Sequence, residues 1–153
     1  NENQQRMDIA EIVQDQLAEV GIVVTIEIVE WTKYLADTAA GEHDMFILGW
    51  TTVTADADYG LYALFHSSAK GTAGNRTFYG NDEVDRLLDL GRTTADQNAR
   101  LAAYREAQEI IRDDAPWIFT WTGENLAGTH KSVRGFVQHP AGHHQLATVS
   151  FGE

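Results

Sequence analysis

The sequence has no cysteine among its 153 residues. Disulfide bonds, thiolate zinc sites and cysteine nucleophiles are therefore excluded. Its apolar runs fall well short of the ~20 residues that a membrane-spanning helix needs. No signal peptide is recognisable, yet the chain begins at Asn1 without a methionine and enters helical sequence within a few residues. We therefore expect it to be a piece of a longer protein.

Basic residues are also scarce, with 11 lysines and arginines against 23 acidic residues and a formal net charge of -12. An acidic surface repels phosphate, which argues against nucleic acid and anionic membranes as partners. The hydrophobic content of 43% and the four tryptophans indicate a globular chain. Its length suits one domain with a real core, and we treat residues 1–153 as that single domain.

Three motifs that carry chemistry are missing as well. No glycine-rich phosphate loop precedes a helix, and the spaced acids of a calcium-binding EF-hand are absent. Ser67 and Ser68 lack the strand-turn-helix elbow of a serine hydrolase. We expect no cofactor and no resident metal.

Apolar residues recur at helical spacing in five segments. In the longest of them, Leu101, Tyr104, Ala107 and Ile111 form the stripe that we expect to be buried. Thr32 is the expected N-cap of the second helix, and Asn81 and Asp96 are the expected N-caps of the last two. The predicted helices are Gln4 to Val20, Thr32 to Ala40, Tyr59 to His66, Asp82 to Gly91 and Gln97 to Asp114.

Two apolar segments predict strands around the second helix. Ile22 to Val29 alternates in β-branched residues, and Met45 to Leu48 is apolar throughout, as in a strand covered on both faces. Strand, helix and strand at this spacing predict a parallel, right-handed βαβ unit. We therefore expect an α/β fold with a mixed, largely parallel sheet flanked by helices. Later strand candidates are Trp117 to Thr122, Leu126 to His130, Val133 to Val137 and Leu146 to Phe151.

The polar loop after Trp50 is the candidate ligand site. It would lie at the carboxyl end of a parallel strand, where open α/β sheets bind ligands. Trp50 offers a stacking surface, and Thr51, Thr54 and Asp56 offer hydrogen-bonding groups. Arg76 is a candidate clamp for a carboxylate. The alternatives are a core tryptophan, an aspartate that only caps the next helix and an ordinary surface arginine.

Other chemistries remain open. Asp56 and Asp58 could act as an acid/base pair with a histidine, which would make the chain a small hydrolase. His139, His143 and His144 lie close together in sequence and could bind zinc or nickel, although no fourth ligand is evident.

Several blocks occur in an order that carries a family resemblance. The blocks are Ala10-Glu11 to Leu17 with Gly21-Ile22, Asp44 to Trp50, Asn75-Arg76 to Tyr79-Gly80-Asn81, Val84 to Leu88, Arg100 to Ile111 with Ala115-Pro116, and Val133 to Phe136. This ordered set, which covers nearly the whole chain, resembles the C-terminal part of the large bacterial extracellular solute-binding proteins of peptide/nickel ABC transporters, family 5. The threonine- and aspartate-rich run after Trp50 is most similar to glutathione- and dipeptide-binding members.

The resemblance implies a two-lobed protein that closes on a solute and delivers it to a membrane permease. The chain would be most of one periplasmic-binding-protein-like lobe, with residues 132–153 returning toward the other. In peptide-binding relatives an aspartate three residues after the tryptophan pairs with the peptide amino group, and here that position is Val53. The usual proline after the second aspartate is Ala57. The implied location is the periplasm, or the cell surface through a lipid anchor.

The resemblance also leaves the solute open. A dipeptide, an oligopeptide or glutathione fits it best, and Asp56 or Asp58 could then meet the amine. Within the same fold the solute could instead be a nickel chelate, an oligosaccharide or an opine-like compound.

Overall fold

The computed structural model describes residues 1–152, and most of their regular structure is helical. Two short 3₁₀ helices are formed by Ser67–Ala69 and Gly71–Ala73. The remaining elements, in chain order, are α1 (Gln4–Glu19), α2 (Trp31–Ala40), α3 (Ala57–Phe65), α4 (Asp82–Thr93), α5 (Gln97–Asp114), β1 (Val133–Arg134) and β2 (Ser150–Phe151).

The hydrophobic core lies among α3, α4 and α5. Val84 and Leu88 of α4 are fully buried, and so is Ala107 of α5. Tyr104 of α5 packs over Gly91 of α4, which lets the two helices approach closely. The other buried members of this cluster are Leu64, Phe65, Leu87, Ala103 and Ile111. The buried core is therefore formed by α3, α4 and α5, whereas α1 contributes no buried residue.

Side-chain caps set where the two core helices begin. The Asn81 side chain accepts hydrogen bonds from the backbone of Glu83 and Val84, and Asp96 does the same for the first turn of α5. α5 ends at Ala115, which has a left-handed backbone (φ 48°), just before Pro116. Both caps and the bounds of α5 are as the sequence predicts.

Other helix boundaries differ from the predictions. α2 is capped by Glu30 rather than Thr32, because the Glu30 carboxylate accepts hydrogen bonds from two backbone N–H groups of the first turn. α3 begins two residues early because Asp56 caps it. α4 runs past Gly91 to Thr93, and Leu101 of α5 is 63% exposed instead of buried.

The predicted parallel βαβ unit does not form a ladder within residues 1–152. Residues 22–30 and 45–50 are neither helix nor strand. They accept side-chain hydrogen bonds instead: Gln14 donates to the carbonyl of Val24, and Tyr34 donates to that of Ile47. A strand exists only with a backbone partner, and these two segments do not provide one for each other.

The one sheet of the described residues is small and antiparallel. Val133 pairs with Phe151 and Arg134 pairs with Ser150. The predicted strands at 133–137 and 146–151 thus form only at their outer ends. The segments at 117–122 and 126–130 stay outside regular structure. None of the helices described between residues 1 and 152 combines the length and the apolar character needed to cross a membrane.

Candidate functional site

The loop after Trp50 forms one side of a polar cleft. Trp50 and Tyr59 form a tilted aromatic pair with ring centroids 5.4 Å apart, and each is 37% exposed. Thr51 and Thr54 are exposed on the loop between them. Next to Tyr59 lies a cleft of about 300 Å³ lined by Thr54, Asp56, Asp58, Tyr59, Arg92 and Arg100.

One oxygen of the Asp56 carboxylate, Oδ1, accepts two hydrogen bonds. It accepts a hydrogen bond from the backbone N–H of Asp58 at 2.8 Å and another from Arg100 at 2.6 Å. The Arg100 hydrogen bond and the capping N–H hold the pKa of Asp56 below its ordinary value, so the group stays ionised. The helix cap, one of the two roles open from the sequence, is therefore the role its contacts show.

Asp58 is held in the same way by a second arginine. Nε and Nη2 of Arg92 donate to the two carboxylate oxygens at 2.8 and 3.0 Å. This fork geometry is the strong form of an arginine–carboxylate pair. With both aspartates paired to arginines, and no histidine among the six lining residues, the cleft lacks the acid/base arrangement of the hydrolase hypothesis.

Arg76 is placed away from this cleft. Its Nη1 donates to the carbonyl of Leu35 at 2.7 Å and to Oγ1 of Thr38 at 3.0 Å. Both acceptors belong to α2. These two hydrogen bonds join Arg76 to α2, and Arg76 is not among the residues that line the cleft, where a carboxylate clamp is expected. The structure thus places Thr54 and Asp56 in the lining of the cleft and Trp50 against its lining residue Tyr59, whereas neither Thr51 nor Arg76 is a lining residue.

Sequence reasoning missed three residues at this cleft, namely Tyr59, Arg92 and Arg100. The two arginines follow their aspartate partners by 34 and 44 residues. Only a weak signal was available for Arg100. It stands in the first turn of a helix, where the helix dipole disfavours a cation.

The histidines near the C-terminus do not form a metal cluster in the structure described. The rings of His139 and His143 are 5.4 Å apart, but Nδ1 of His139 accepts the backbone N–H of Ala141 at 3.1 Å. No group of three or more potential ligands occurs among residues 1–152.

Residues 1–72 match the family model described as bacterial extracellular solute-binding proteins, family 5 Middle. The dipeptide-binding protein of Escherichia coli strain K12 is 32% identical over 98% of this chain and 28% of its own length. The chain therefore spans less than a third of the length of that relative.

Two solved structures extend the likeness. The oligopeptide-binding protein AppA from Bacillus subtilis, in complex with a nonapeptide, has a TM-score of 0.83 and 28% identity over 99% of this chain and 30% of its own. The ABC transporter-associated periplasmic binding protein DppA from Helicobacter pylori, in complex with peptide STSA, has a TM-score of 0.66 and 43% identity over 71% of this chain and 22% of its own.

These structures confirm the predicted fold class, a lobe of the periplasmic-binding-protein type. The likeness to AppA covers almost the entire chain, including the extended segments that form no ladder within residues 1–152. The number and order of the α-helices thus agree with the prediction, whereas the predicted parallel sheet does not form within residues 1–152.

Proposed function

We propose that this chain, which resembles family 5 of the bacterial extracellular solute-binding proteins, is part of the substrate-binding component of an ABC importer for a peptide-like solute. The observation that carries the proposal is the match of 99% of the chain, at a TM-score of 0.83, to a family structure solved with a bound peptide. The 43% identity to a second peptide complex supports the same solute class.

The proposed solute is a dipeptide, an oligopeptide or glutathione, and Trp50 is its main contact. An indole that is partly exposed and backed by Tyr59 offers a flat apolar surface on which a side chain or a peptide plane packs. Thr51 and Thr54 add exposed hydroxyl groups on the same loop. They would hydrogen-bond the polar backbone of the solute.

Asp56, which the sequence offered as a ligand contact, is proposed to support the wall of the cleft, and Arg76, offered as a carboxylate clamp, is proposed to brace α2 away from it. The Asp56 carboxylate already has two donors, and Arg76 is bonded to α2. Both donors bond to Oδ1, so a solute amine at Asp56 would have to bind Oδ2 of a carboxylate that is already paired with Arg100. With Val53 also apolar, we expect the amine to be bound by residues outside this loop.

The whole protein is proposed to have two lobes that close on the solute. Residues 1–153 would be one domain of a single lobe, with residues 132–153 returning toward the other lobe, and the Trp50 loop would form part of the cleft wall. The closed form would present the solute to the permease subunits of the importer. The DppA relative from Helicobacter pylori is a periplasmic binding protein. We propose the periplasm, or the cell surface through a lipid anchor, for this one.

The relatives reported above are binding proteins, and we propose binding without turnover. The arginine partners of Asp56 and Asp58 favour this, because a carboxylate held in an ion pair is a poor general base. A binding protein returns its ligand unchanged, whereas a hydrolase releases products. Mass analysis of the solute after long incubation separates these two outcomes.

Titration calorimetry of the intact protein that carries this chain tests the proposed function. The panel comprises Ala-Ala, the tetrapeptide Ser-Thr-Ser-Ala, glutathione, a nickel–histidine chelate, a maltooligosaccharide and an opine. We expect one of the three peptide-like probes to bind at least a hundredfold more tightly than the last three, a difference of about 2.7 kcal/mol. Tightest binding of the chelate, the sugar or the opine would overturn the proposed solute class.

A further inference from the structure

Two arginines at the corner between α4 and α5 contact the end of the loop after Trp50. Arg100, in the first turn of α5, bonds to Asp56 at 2.6 Å. Arg92, in the last turn of α4, bonds to both oxygen atoms of Asp58 at 2.8 and 3.0 Å. Asp56, which caps α3, and Asp58, in the first turn of α3, are thus both tied to one corner of the helical core.

Each guanidinium also has contacts other than those with its carboxylate, and these contacts restrict its position. Nε of Arg100 donates to the carbonyl of Gly91 at 3.0 Å, and Nη2 lies 3.4 Å from the hydroxyl of Tyr104. Arg92 lies 3.4 Å above the ring of Tyr62. Most surface ion pairs contribute little because two mobile side chains must be ordered. Here much of that ordering is supplied by the helical core.

The position of Arg100 supports a specific role. A cation in the first turn of a helix is disfavoured by the helix dipole. The carboxylate of Asp56 supplies the compensating charge, and only 23% of the arginine side chain is exposed. The ion pair of Arg100 with Asp56 therefore explains how a cation is tolerated in the first turn of α5.

The loop itself needs such an anchor. Ala55 has φ 53°, a left-handed conformation that is disfavoured for any residue with a Cβ. One backbone hydrogen bond, from Ala55 to Thr52 at 2.9 Å, closes this turn. The residue that follows the strained position is Asp56, the partner of Arg100. Release of Asp56 would free the turn to relax and would change how Thr51 and Thr54 are presented.

We infer that Arg100 and Arg92 are positioning residues of the solute site: they clamp the Asp56–Asp58 segment to the α4–α5 corner and thereby hold the Trp50 loop in its binding conformation. The inference rests on the proposed function, because it assigns the arginines to the site where the solute binds. Neither arginine needs to touch the solute for this role.

Three variants of the intact protein isolate the clamp. Asp56→Asn keeps an N-cap for α3, because asparagine caps a helix as well as aspartate does, but it removes the charge that Arg100 binds. Arg100→Gln removes the other half of the pair. Arg105→Gln is the matched control, since Arg105 lies on the same helix, is 83% exposed and pairs only with Glu109.

Hydrogen exchange of the solute-free protein is the first readout. We expect Asp56→Asn and Arg100→Gln to speed exchange of the amides of residues 51–56 at least tenfold, and Arg105→Gln to leave it unchanged. The double variant should exchange no faster than either single variant, because both remove the same contact. Unchanged exchange in both single variants would overturn the inference, whether or not a solute is known.

Affinity for Ser-Thr-Ser-Ala is the second readout. If the wild-type protein binds this tetrapeptide, both single variants should weaken binding at least fivefold, and Arg100→Lys, which keeps the charge, should recover part of the loss. Faster loop exchange with unchanged affinity would show that the clamp does not serve the site and would overturn the inference. If the wild-type protein binds none of the panel, the proposed function fails, and the exchange measurement still decides whether the arginines fix the loop.

Discussion

The ring of Tyr104 lies directly against Gly91, so that a Cβ added at Gly91 would sit 2.7 Å from two ring carbons. This contact brings α4 and α5 together at the corner from which Arg92 and Arg100 extend. A side chain at Gly91 would push the ring away and separate the helices.

Gly91→Ala is therefore expected to destabilise the intact protein by about 1–3 kcal/mol, as overpacking of a core usually does. The gain in helix propensity from glycine to alanine, about 1 kcal/mol, is too small to reverse the sign. Urea unfolding measures the difference. The control is Gly123→Ala, where no atom lies within 4 Å of the new Cβ. Equal stabilities of the two variants would contradict the close contact.

Trp50 and Trp31 form a matched pair for testing the solute contact. They are 37% and 41% exposed, and each ring lies beside a tyrosine. Trp50→Ala should weaken binding of the peptide-like probe at least tenfold, which is about 1.4 kcal/mol, because the stacking surface is lost. Trp31→Ala should leave affinity within twofold. Calorimetry on folded variants gives both values, and equal losses from the two substitutions would remove Trp50 from its proposed role.

The contact between Tyr79 and Asp114 predicts a stability window in pH. Asp114 accepts hydrogen bonds from Tyr79 at 2.5 Å and from Asn81 at 2.9 Å, and these lower the pKa of its carboxyl group. Burial, and then this carboxylate, raise the pKa of the Tyr79 phenol. A carboxyl group whose pKa is lowered in the fold stabilises the fold at pH values above its ordinary pKa, and this stabilisation is lost as the pH falls. A phenol whose pKa is raised in the fold stabilises the fold at pH values below its ordinary pKa, and this stabilisation is lost as the pH rises.

The melting temperature of Tyr79→Phe should therefore fall furthest below that of the wild-type protein between about pH 4 and pH 10, the ordinary pKa values of the two groups. The difference should shrink at both ends of this range. Asp114→Asn should show the same narrowing at the acid end. A difference that stays constant from pH 2 to pH 11 would show that the hydrogen bond carries no charge-dependent stability.

Substitution of Arg76 distinguishes a structural role of this residue from a ligand-binding role. Its hydrogen bonds to α2 predict that Arg76→Ala lowers the free energy of unfolding by about 1–3 kcal/mol, because a charged donor is removed from a carbonyl and a buried hydroxyl. Arg86→Ala, at an exposed arginine paired with Glu83, should change it by less than about 0.5 kcal/mol.

A carboxylate clamp at Arg76 predicts a different result in binding. The variant would then lose any preference for Ser-Thr-Ser-Ala over the same peptide with a C-terminal amide. The structure predicts that this preference is the same in Arg76→Ala and the wild-type protein. Titration of both peptides against both proteins decides between the two roles.

Local signals in the sequence predicted the helices of the core well. The caps at Asn81 and Asp96 and the end of α5 before Pro116 depend on contacts within a few residues, and all three are confirmed. The buried face of α5 was less well predicted. Leu101 is exposed because packing against α4 places Ala103 and Tyr104 inward, and this packing is not encoded in the helix alone.

Contacts distant in sequence were the ones that could not be predicted. The strand at 22–29 has the right composition, but a ladder requires a partner that periodicity does not identify. The pairs of Asp58 with Arg92 and of Asp56 with Arg100 join residues 34 and 44 positions apart. The sequence marked the loop as a site and offered the helix cap as one role for Asp56, yet it gave no means of pairing each aspartate with its arginine.

Native mass spectrometry of the intact gene product, purified without denaturation, tests the receptor proposal most directly. The account predicts a chain much larger than 153 residues that carries a peptide-sized adduct, which is lost on gentle activation with its mass unchanged. The mass of the adduct would identify the solute class at once. A native chain no larger than this one, with no adduct, would leave no second lobe to close on a solute and would contradict the account.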